Sequence, residues 1–348
     1  MEDSISVVIT TYNRSRLVGR AIESALSAIG PGDEIIVIDD GSTDDTSEVL
    51  RPYYGKIRYI RIENAGPGAA RNMGIDSARR PLIAFLDSDD EWLPDKLYLQ
   101  RKVMQAFPKV VYCFSDLCSR HPDGKIIHKV MNIWKNDLSV GHWAARGDLG
   151  GILGQGTPFS SIATLPEGQP DFNVHVGDIY AALMEVYYVS TITIMVRKEA
   201  AGESFRFPVD TNIYEEWECF GRLAKCGPAA YLDCETAVQN VHADPRLTDV
   251  GGIQQSTARI KLLHRLWGAD ESFMKAHSSR FQSVLKVHHL RRAKYLIKAG
   301  RTGEAKEDLK AIGGGPWSYR LLTSLPAPLI NSLVGGRRIL RGFMSRSR

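Results

Sequence analysis

Four short β-branched runs limit what the N-terminal part of this chain can fold into: ISVVIT (5–10), EIIVID (34–39), KIRYIRI (56–62) and PLIAFL (81–86). They are continuous rather than alternating, as strands covered on both faces are. Helix-like stretches near 16–28, 43–50 and 68–78 separate them. Strand and helix alternating through short turns means βαβ units and a parallel sheet. A helix opening near Pro94, in PDKLYLQRKVMQAF, and a strand at VVYCFS (110–115) continue the pattern. In the second helical stretch, GSTDDT offers Ser42 or Thr43 as a cap for exposed backbone N–H groups.

In an open parallel sheet, ligands gather at the carboxyl ends of the strands. Thr10, Thr11, Tyr12 and Asn13 follow the first run, Asp39, Asp40, Gly41 and Ser42 the second, and Asp87, Ser88, Asp89 and Asp90 the fourth. All three clusters are expected in one cleft. Taken singly, DDGST is a good turn and TTYNR an ordinary polar loop; their convergence favours a site. The last cluster is the hardest to explain as structure, because five apolar residues, Leu82 to Leu86, run straight into Asp87, Asp89, Asp90 and Glu91. In extended backbone Asp87 and Asp89 face the same way, and their repulsion calls for a proton or a cation. Oxygen ligands suit Mg²⁺ or Mn²⁺, with a diphosphate supplying the remaining ligands. The competing reading is a solvated acidic turn that caps the helix after Pro94.

Composition narrows the function classes. At 348 residues, 43% hydrophobic and 24% charged, the chain is long enough for two domains with proper cores. A net charge of +4 and a pI near 8.7 are too mild to argue for nucleic acid. Five cysteines without a CxxC pair fit reduced thiols in a cytosolic compartment. The opening MEDSISVVIT carries acidic residues where a signal peptide carries basic ones, and no run approaches the roughly 18 apolar residues of a membrane span. A cytoplasmic protein is expected, with any membrane contact peripheral and on the inner face.

In order and spacing, SVVITTYNR, EIIVIDDGSTDDT, NAGPGAARNMGI and PLIAFLDSDDEWLP resemble the hallmark blocks of family 2 glycosyltransferases. The likeness covers roughly residues 4–95, with a fifth block further on. It implies the GT-A fold, a Rossmann-like α/β architecture with a mostly parallel central sheet flanked by helices, and a nucleotide-sugar donor, most often of UDP. By this resemblance Thr10, Tyr12 and Asp40 contact the nucleobase, and Arg71 positions the diphosphate or holds the loop. Asp87 and Asp89, either side of Ser88, are the DxD pair that touches ribose and metal, with Asp89 or Asp90 the direct ligand of Mn²⁺ or Mg²⁺. After a strand resembling YYVSTITIMVRKEA (187–200), relatives carry a Glu-Asp pair before a Trp-containing helix; here the text is NIYEEWECFGRLAKCG. Glu216 thus stands where the family has its catalytic Asp, one methylene longer, and the choice between Glu216 and Glu215 stays open. Both also suit the first turn of a helix without any catalytic role. In NVHADPRLTD, His242 sits where many relatives place a histidine that reaches metal or diphosphate, a position a structural histidine fills equally well.

The resemblance implies inverting transfer of a sugar to a hydroxyl of a saccharide or lipid-linked acceptor, in polysaccharide or glycoconjugate synthesis. The alternative is an inactive nucleotide-sugar-binding or scaffolding protein of the same fold. A sugar-nucleotide pyrophosphorylase is disfavoured, since TTYNR replaces its glycine-rich signature. The expected division is a donor half at 1–118, an acceptor and catalytic half at 119–251, and a helical basic extension at 252–348. GDLGGILGQGTPF lacks the Lys-Ser/Thr of a phosphate loop and suits an acceptor-binding segment. Trp134 and Trp143 either stack on a sugar or pack in a core. AKYLIKAGRTGEAKEDLKAI reads as one helical hairpin of the tetratricopeptide sort. The closing GGRRILRGFMSRSR sets five arginines among Ile339, Leu340 and Phe343, which suits an anionic membrane surface or a solvated tail.

Overall fold

A computed structural model describes residues 3–131, 149–244 and 250–324. Trp134, Trp143 and the arginine-rich end lie outside them. The chain forms two compact units, Met1–Pro245 and Arg246–Arg348.

The first unit is built on a single mixed sheet. Its path runs β3 (Arg58–Arg61), β2 (Glu34–Asp39), β1 (Ile5–Thr11), β4 (Leu82–Asp87), β10 (Met195–Arg197), β6 (Tyr112–Arg120), β11 (Ala229–Asn240), β9 (Asn173–Gly177), β8 (Thr157–Pro158). The short strands β5 (Glu91–Trp92) and β7 (Ile126–Ile127) lie off that path, on β11 and β6. β1 to β4 pair in parallel, as their continuous apolar runs require, and β6 pairs in parallel with β11. β10 is antiparallel to both its neighbours, so it joins the two halves of the sheet. Only Met195–Arg197 of the expected strand at 187–200 pairs in this way, and β6 runs through the expected division at residue 118.

Helices α1 (Val18–Ala28), α2 (Thr46–Leu50), α3 (Pro67–Ser77), α4 (Lys96–Ala106) and α5 (Glu215–Cys226) flank the sheet. α1 buries Val18, Ala21, Ile22 and Ala25, the i, i+3, i+4, i+7 stripe of a helix with one apolar face. α3 lies closer still. A Cβ on Gly74 would fall 2.2 Å from Val8 Cγ1, and one on Gly68 would fall 2.4 Å from the Pro208 carbonyl oxygen. Only glycine permits that approach, and it presses the Arg71 side of α3 toward the sheet end.

The second unit is helical: α6 (Gly252–Leu263), α7 (Glu271–Lys298), α8 (Thr302–Ala311) and α9 (Trp317–Ser324). The hairpin read from the sequence is α7 and α8, turning through Gly300 at φ 74°. Ala293, Leu296, Ile297, Ala305 and Leu309 form its core. Beside it the buried Asp308 carboxylate accepts from Arg292 and faces His289 Nδ1 at 2.6 Å. Among the described residues no helix is long and apolar enough to cross a membrane.

Gly74→Ala is expected to lower stability by about 1–3 kcal/mol through overpacking against Val8. Gly55→Ala, with open space around it, should stay within about 0.5 kcal/mol of wild type. Urea unfolding of both variants checks the pair.

Candidate active site

The parallel register delivers the three polar clusters to one edge, with Thr10 beside Asp87 and Thr11 beside Asp39. The first two loops are tied together. Asn13 takes φ 51°, a conformation asparagine tolerates better than most residues, and its Oδ1 accepts from the Thr43 N–H at 2.8 Å. Its own N–H donates to Ser42 Oγ at 2.9 Å. Ser42 therefore bridges two loops instead of capping α2, whose N-cap residue is Asp45; loop docking claims the hydroxyl first.

The tandem aspartates after β2 are also engaged. Asp39 is fully buried and accepts from the Ser42 N–H (2.8 Å) and the Tyr59 hydroxyl (2.7 Å). Asp40 accepts from the N–H groups of Ala65 (2.8 Å) and Gly66 (2.9 Å) and so fixes the turn that leads into α3. Burial outweighs those bonds and holds the Asp40 carboxyl above the usual range. Thr10 is half-buried, while Tyr12 remains 45% exposed, its ring offered at the edge.

The acidic turn after β4 departs from the expected geometry. The Asp90 N–H donates to the Asp87 carbonyl at 3.1 Å, closing a turn, so the strand alternation that would align Asp87 with Asp89 does not apply. Each carboxylate finds its own partner. Asp87 Oδ1 accepts from Arg71 at 3.1 Å; Asp89 Oδ2 lies 2.9 Å from His242 Nε2 and 3.8 Å from Arg14 Nε. Asp90 Oδ1 accepts from the Asn240 N–H at 2.8 Å, and Glu91 Oε1 from Arg120 at 2.9 Å. Ser88 is buried. β5 makes this possible: its antiparallel pairing of Glu91 with Val238 carries the turn to the end of β11, where His242 follows. Among the described residues, no group of three or more His, Cys, Asp and Glu side chains is arranged to hold a metal. Asp89 and His242 do come together, and Asp90 is turned to Asn240.

Arg71 joins this edge to α5. It is 7% exposed, lies 5.3 Å over the Phe207 ring, and donates to Glu215 Oε1 at 2.9 Å as well as to Asp87. Burial opposes its charge, but Asp87, Glu215 and Glu216 outweigh that and raise its pKa. For Asp87 burial dominates and the carboxyl is held high, with Arg71 pulling the other way. Glu216, half-buried, is pushed up to about 8, first by burial and then by the neighbouring Glu215 carboxylate. α5 starts from Tyr214 at φ 62°, a left-handed conformation that costs a bulky residue on the order of 1–3 kcal/mol. Trp217 secures that start, donating Nε1–H to the Leu183 carbonyl at 2.8 Å between the rings of Tyr187 and Tyr214.

Several contributors carried weak sequence signals or none. Asn13 in a turn was a fair hint of left-handed backbone, whereas Arg14, Asn240 and Tyr214 gave none, since their roles depend on long-range pairing.

Arg71→Met should cost about 3–5 kcal/mol, because it leaves Asp87 and Glu215 without their cation. Adding Glu215→Gln should recover part of the loss, with a coupling of about 0.5–3 kcal/mol in a denaturation double-mutant cycle. Without Arg71 the buried Asp87 carboxyl binds a proton more readily folded than unfolded, so the Arg71→Met deficit should shrink as pH falls.

Residues 6–148 match the family described as Glycosyl transferase family 2. An uncharacterized glycosyltransferase of Rickettsia felis is 46% identical over 106 residues, 30% of this chain and 18% of that protein. The succinoglycan biosynthesis protein ExoO of Rhizobium meliloti is 43% identical over 95 residues, 27% of each chain. The putative teichuronic acid biosynthesis glycosyltransferase TuaG of Bacillus subtilis is 36% identical over 104 residues, 29% of this chain and 41% of that one. The matched region thus spans less than half the length of each of these curated relatives. Among solved structures, a fragment of S. aureus TarS in complex with UDP-GlcNAc superposes with a TM-score of 0.56 at 14% identity, covering 92% of this chain and 83% of that one. The mannosyltransferase PcManGT from Pyrobaculum calidifontis, in complex with GDP-Man and Mn²⁺, gives 0.52 at 15% identity, covering 92% and 78%. At such identities the likeness is one of fold. With the family blocks matched over residues 6–148 and the mixed, mostly parallel sheet of the GT-A fold beneath them, this part of the chain is similar to glycosyl transferase family 2.

Proposed function

We propose that this chain transfers a sugar from a nucleotide-sugar, a UDP-sugar, to a hydroxyl of a saccharide or lipid-linked acceptor, with inversion, in polysaccharide or glycoconjugate assembly. The observation that carries the reading is Arg71, which ties Asp87 at the donor edge to the Glu215–Glu216 pair on α5. The similarity to the succinoglycan biosynthesis protein ExoO and the putative teichuronic acid biosynthesis glycosyltransferase TuaG supports the setting.

On the donor side, the exposed Tyr12 ring and Thr10 receive the nucleobase, and Asp40 keeps the adjoining turn at 65–66 rigid. Asp87 and the backbone around the buried Ser88 face the ribose. Asp89 and His242 would hold a divalent cation: their donor atoms are already 2.9 Å apart, and His242 Nδ1 is buried without a partner. A mixed oxygen and nitrogen pair suits Mn²⁺ and tolerates Mg²⁺, each of which completes its coordination with water and diphosphate oxygens. When bound, such a cation stabilises charge on the departing diphosphate.

The acceptor hydroxyl attacks the anomeric carbon, its proton passes to the Glu216 carboxylate, and the bond to the diphosphate breaks with its electron pair on the phosphate oxygen. A carboxyl raised to about 8 is a stronger base than an ordinary glutamate, and proton transfer of this kind contributes about 10²–10⁴ in rate. Glu215 and Arg71 hold the pair in place. The alternative reading is a nucleotide-sugar-binding or scaffolding protein of the same fold without turnover, and the Asp-to-Glu change at Glu216 decides neither.

Glu216→Gln is expected to keep donor binding and to lower kcat about 10²–10⁴-fold, since an amide takes no proton. Wild-type turnover there, with loss at Glu215→Gln, would move the base by one residue. Because Glu216 works deprotonated, kcat/KM should rise with pH toward about 8 and then level. Asp89→Asn and His242→Ala should each weaken Mn²⁺-dependent nucleotide binding in calorimetry; unchanged binding in both would remove the cation from Asp89 and His242.

A further inference from the structure

Between β10 and α5 the chain has to bring Glu215 and Glu216 to the edge where Asp87 sits, and one stripe of α3 receives it. Gly68, Arg71 and Asn72 stand at i, i+3 and i+4 on that helix and meet Pro208, Glu215 and Phe207 in turn. The Asn72 amide pairs with Phe207 as a neighbouring strand would. Its Nδ2–H donates to the Phe207 carbonyl at 2.8 Å, and the Phe207 N–H donates to its Oδ1 at 2.9 Å. Both partners are backbone groups, so they fix which way the amide points. The residue held in this way is central to the site: the Phe207 ring lies 5.3 Å from the Arg71 guanidinium, and it packs edge-on to Phe85 of β4 at 5.4 Å and to Phe220 of α5 at 6.0 Å. From there the chain passes through the left-handed Tyr214 straight into Glu215 and Glu216. The nearby Arg206–Asp76 ion pair is exposed and adds little to this attachment.

We propose that Asn72 is a positioning residue for the Glu216 base: its paired bonds to Phe207 set where α5 begins and hold Glu216 within reach of the acceptor hydroxyl. This role rests on the sugar-transfer reading and adds to it a residue that touches no substrate. Neither alanine nor an ionised carboxylate can replace the amide. Alanine leaves the N–H and carbonyl of the buried Phe207 unpaired. An ionised aspartate accepts from the N–H and repels the carbonyl, and only its protonated form accepts and donates as the amide does.

The test compares Asn72→Ala, Asn72→Asp and Asp76→Asn in the full chain, the last removing the exposed ion pair to Arg206. Asn72→Ala should lower kcat about 10–100-fold with the donor KM within about twofold of wild type, since a base displaced by about 1 Å loses that much. Asp76→Asn should match wild type in both. The kcat deficit of Asn72→Asp, taken as a ratio to wild type at each pH, should shrink as pH falls and the carboxylate takes a proton, whereas that of Asn72→Ala stays level. Hydrogen exchange supplies a readout that needs no turnover. In Asn72→Ala the Glu218 N–H, which donates to the Tyr214 carbonyl at 3.0 Å, should exchange faster while α1 keeps its protection. Wild-type kcat in a folded Asn72→Ala, a change confined to KM, or unchanged exchange at Glu218 would overturn the proposal. Should Asn72→Ala not fold, the pH course of Asn72→Asp decides, and a flat ratio overturns it. A wild-type chain that transfers no sugar would end the transfer reading alone, and exchange at Glu218 would still decide whether Asn72 holds the start of α5.

Discussion

The site depends on one buried cation. Arg71 holds Asp87 and Glu215 at once, and those residues come from a strand end and a helix start that are far apart in sequence. Burying a guanidinium is costly unless its donors meet acceptors, and two carboxylates supply them. The same contact keeps two acidic clusters in one small volume without their repelling the fold apart. α3 places the arginine there because Gly68 and Gly74 let the helix lie directly on the chain around it. The left-handed start of α5 at Tyr214 sets Glu215 against it from the other side.

Beyond that hub, carboxylates are neutralised by partners brought in by long-range pairing. Asp89 meets His242, Asp90 meets the Asn240 backbone, and Glu91 meets Arg120, all because β5 lays the acidic turn along β11. The repulsion that the DSDDE text poses is thus met largely by the protein itself. The cation proposed for Asp89 and His242 would add to that neutralisation.

The parallel half of the sheet was legible from its runs, because β1, β2 and β4 are buried on both faces and continuous apolar text has no other stable place. The convergence of the three loops followed from topology alone. The direction of individual side chains did not. Ser42 read as a cap and became a bridge, since Asn13 reaches it from a loop that is distant in sequence. Asp87 and Asp89 read as aligned by strand alternation, but a turn begins where a strand was assumed to continue and each carboxylate meets a different partner, Arg71 and His242. The antiparallel insert β10 was legible only as an apolar stretch longer than the three residues that pair. For Ser42 and β10 the deciding contact is tertiary and leaves no mark in the local spacing.

The most direct measurement of the central claim is nucleotide release from a panel of nucleotide-sugars by the purified chain with Mn²⁺, with the anomeric configuration of the released or transferred sugar read by proton NMR. Release from one donor class and a product of inverted configuration are expected. Tight nucleotide binding with no release from any donor, or a product of retained configuration, would contradict that claim.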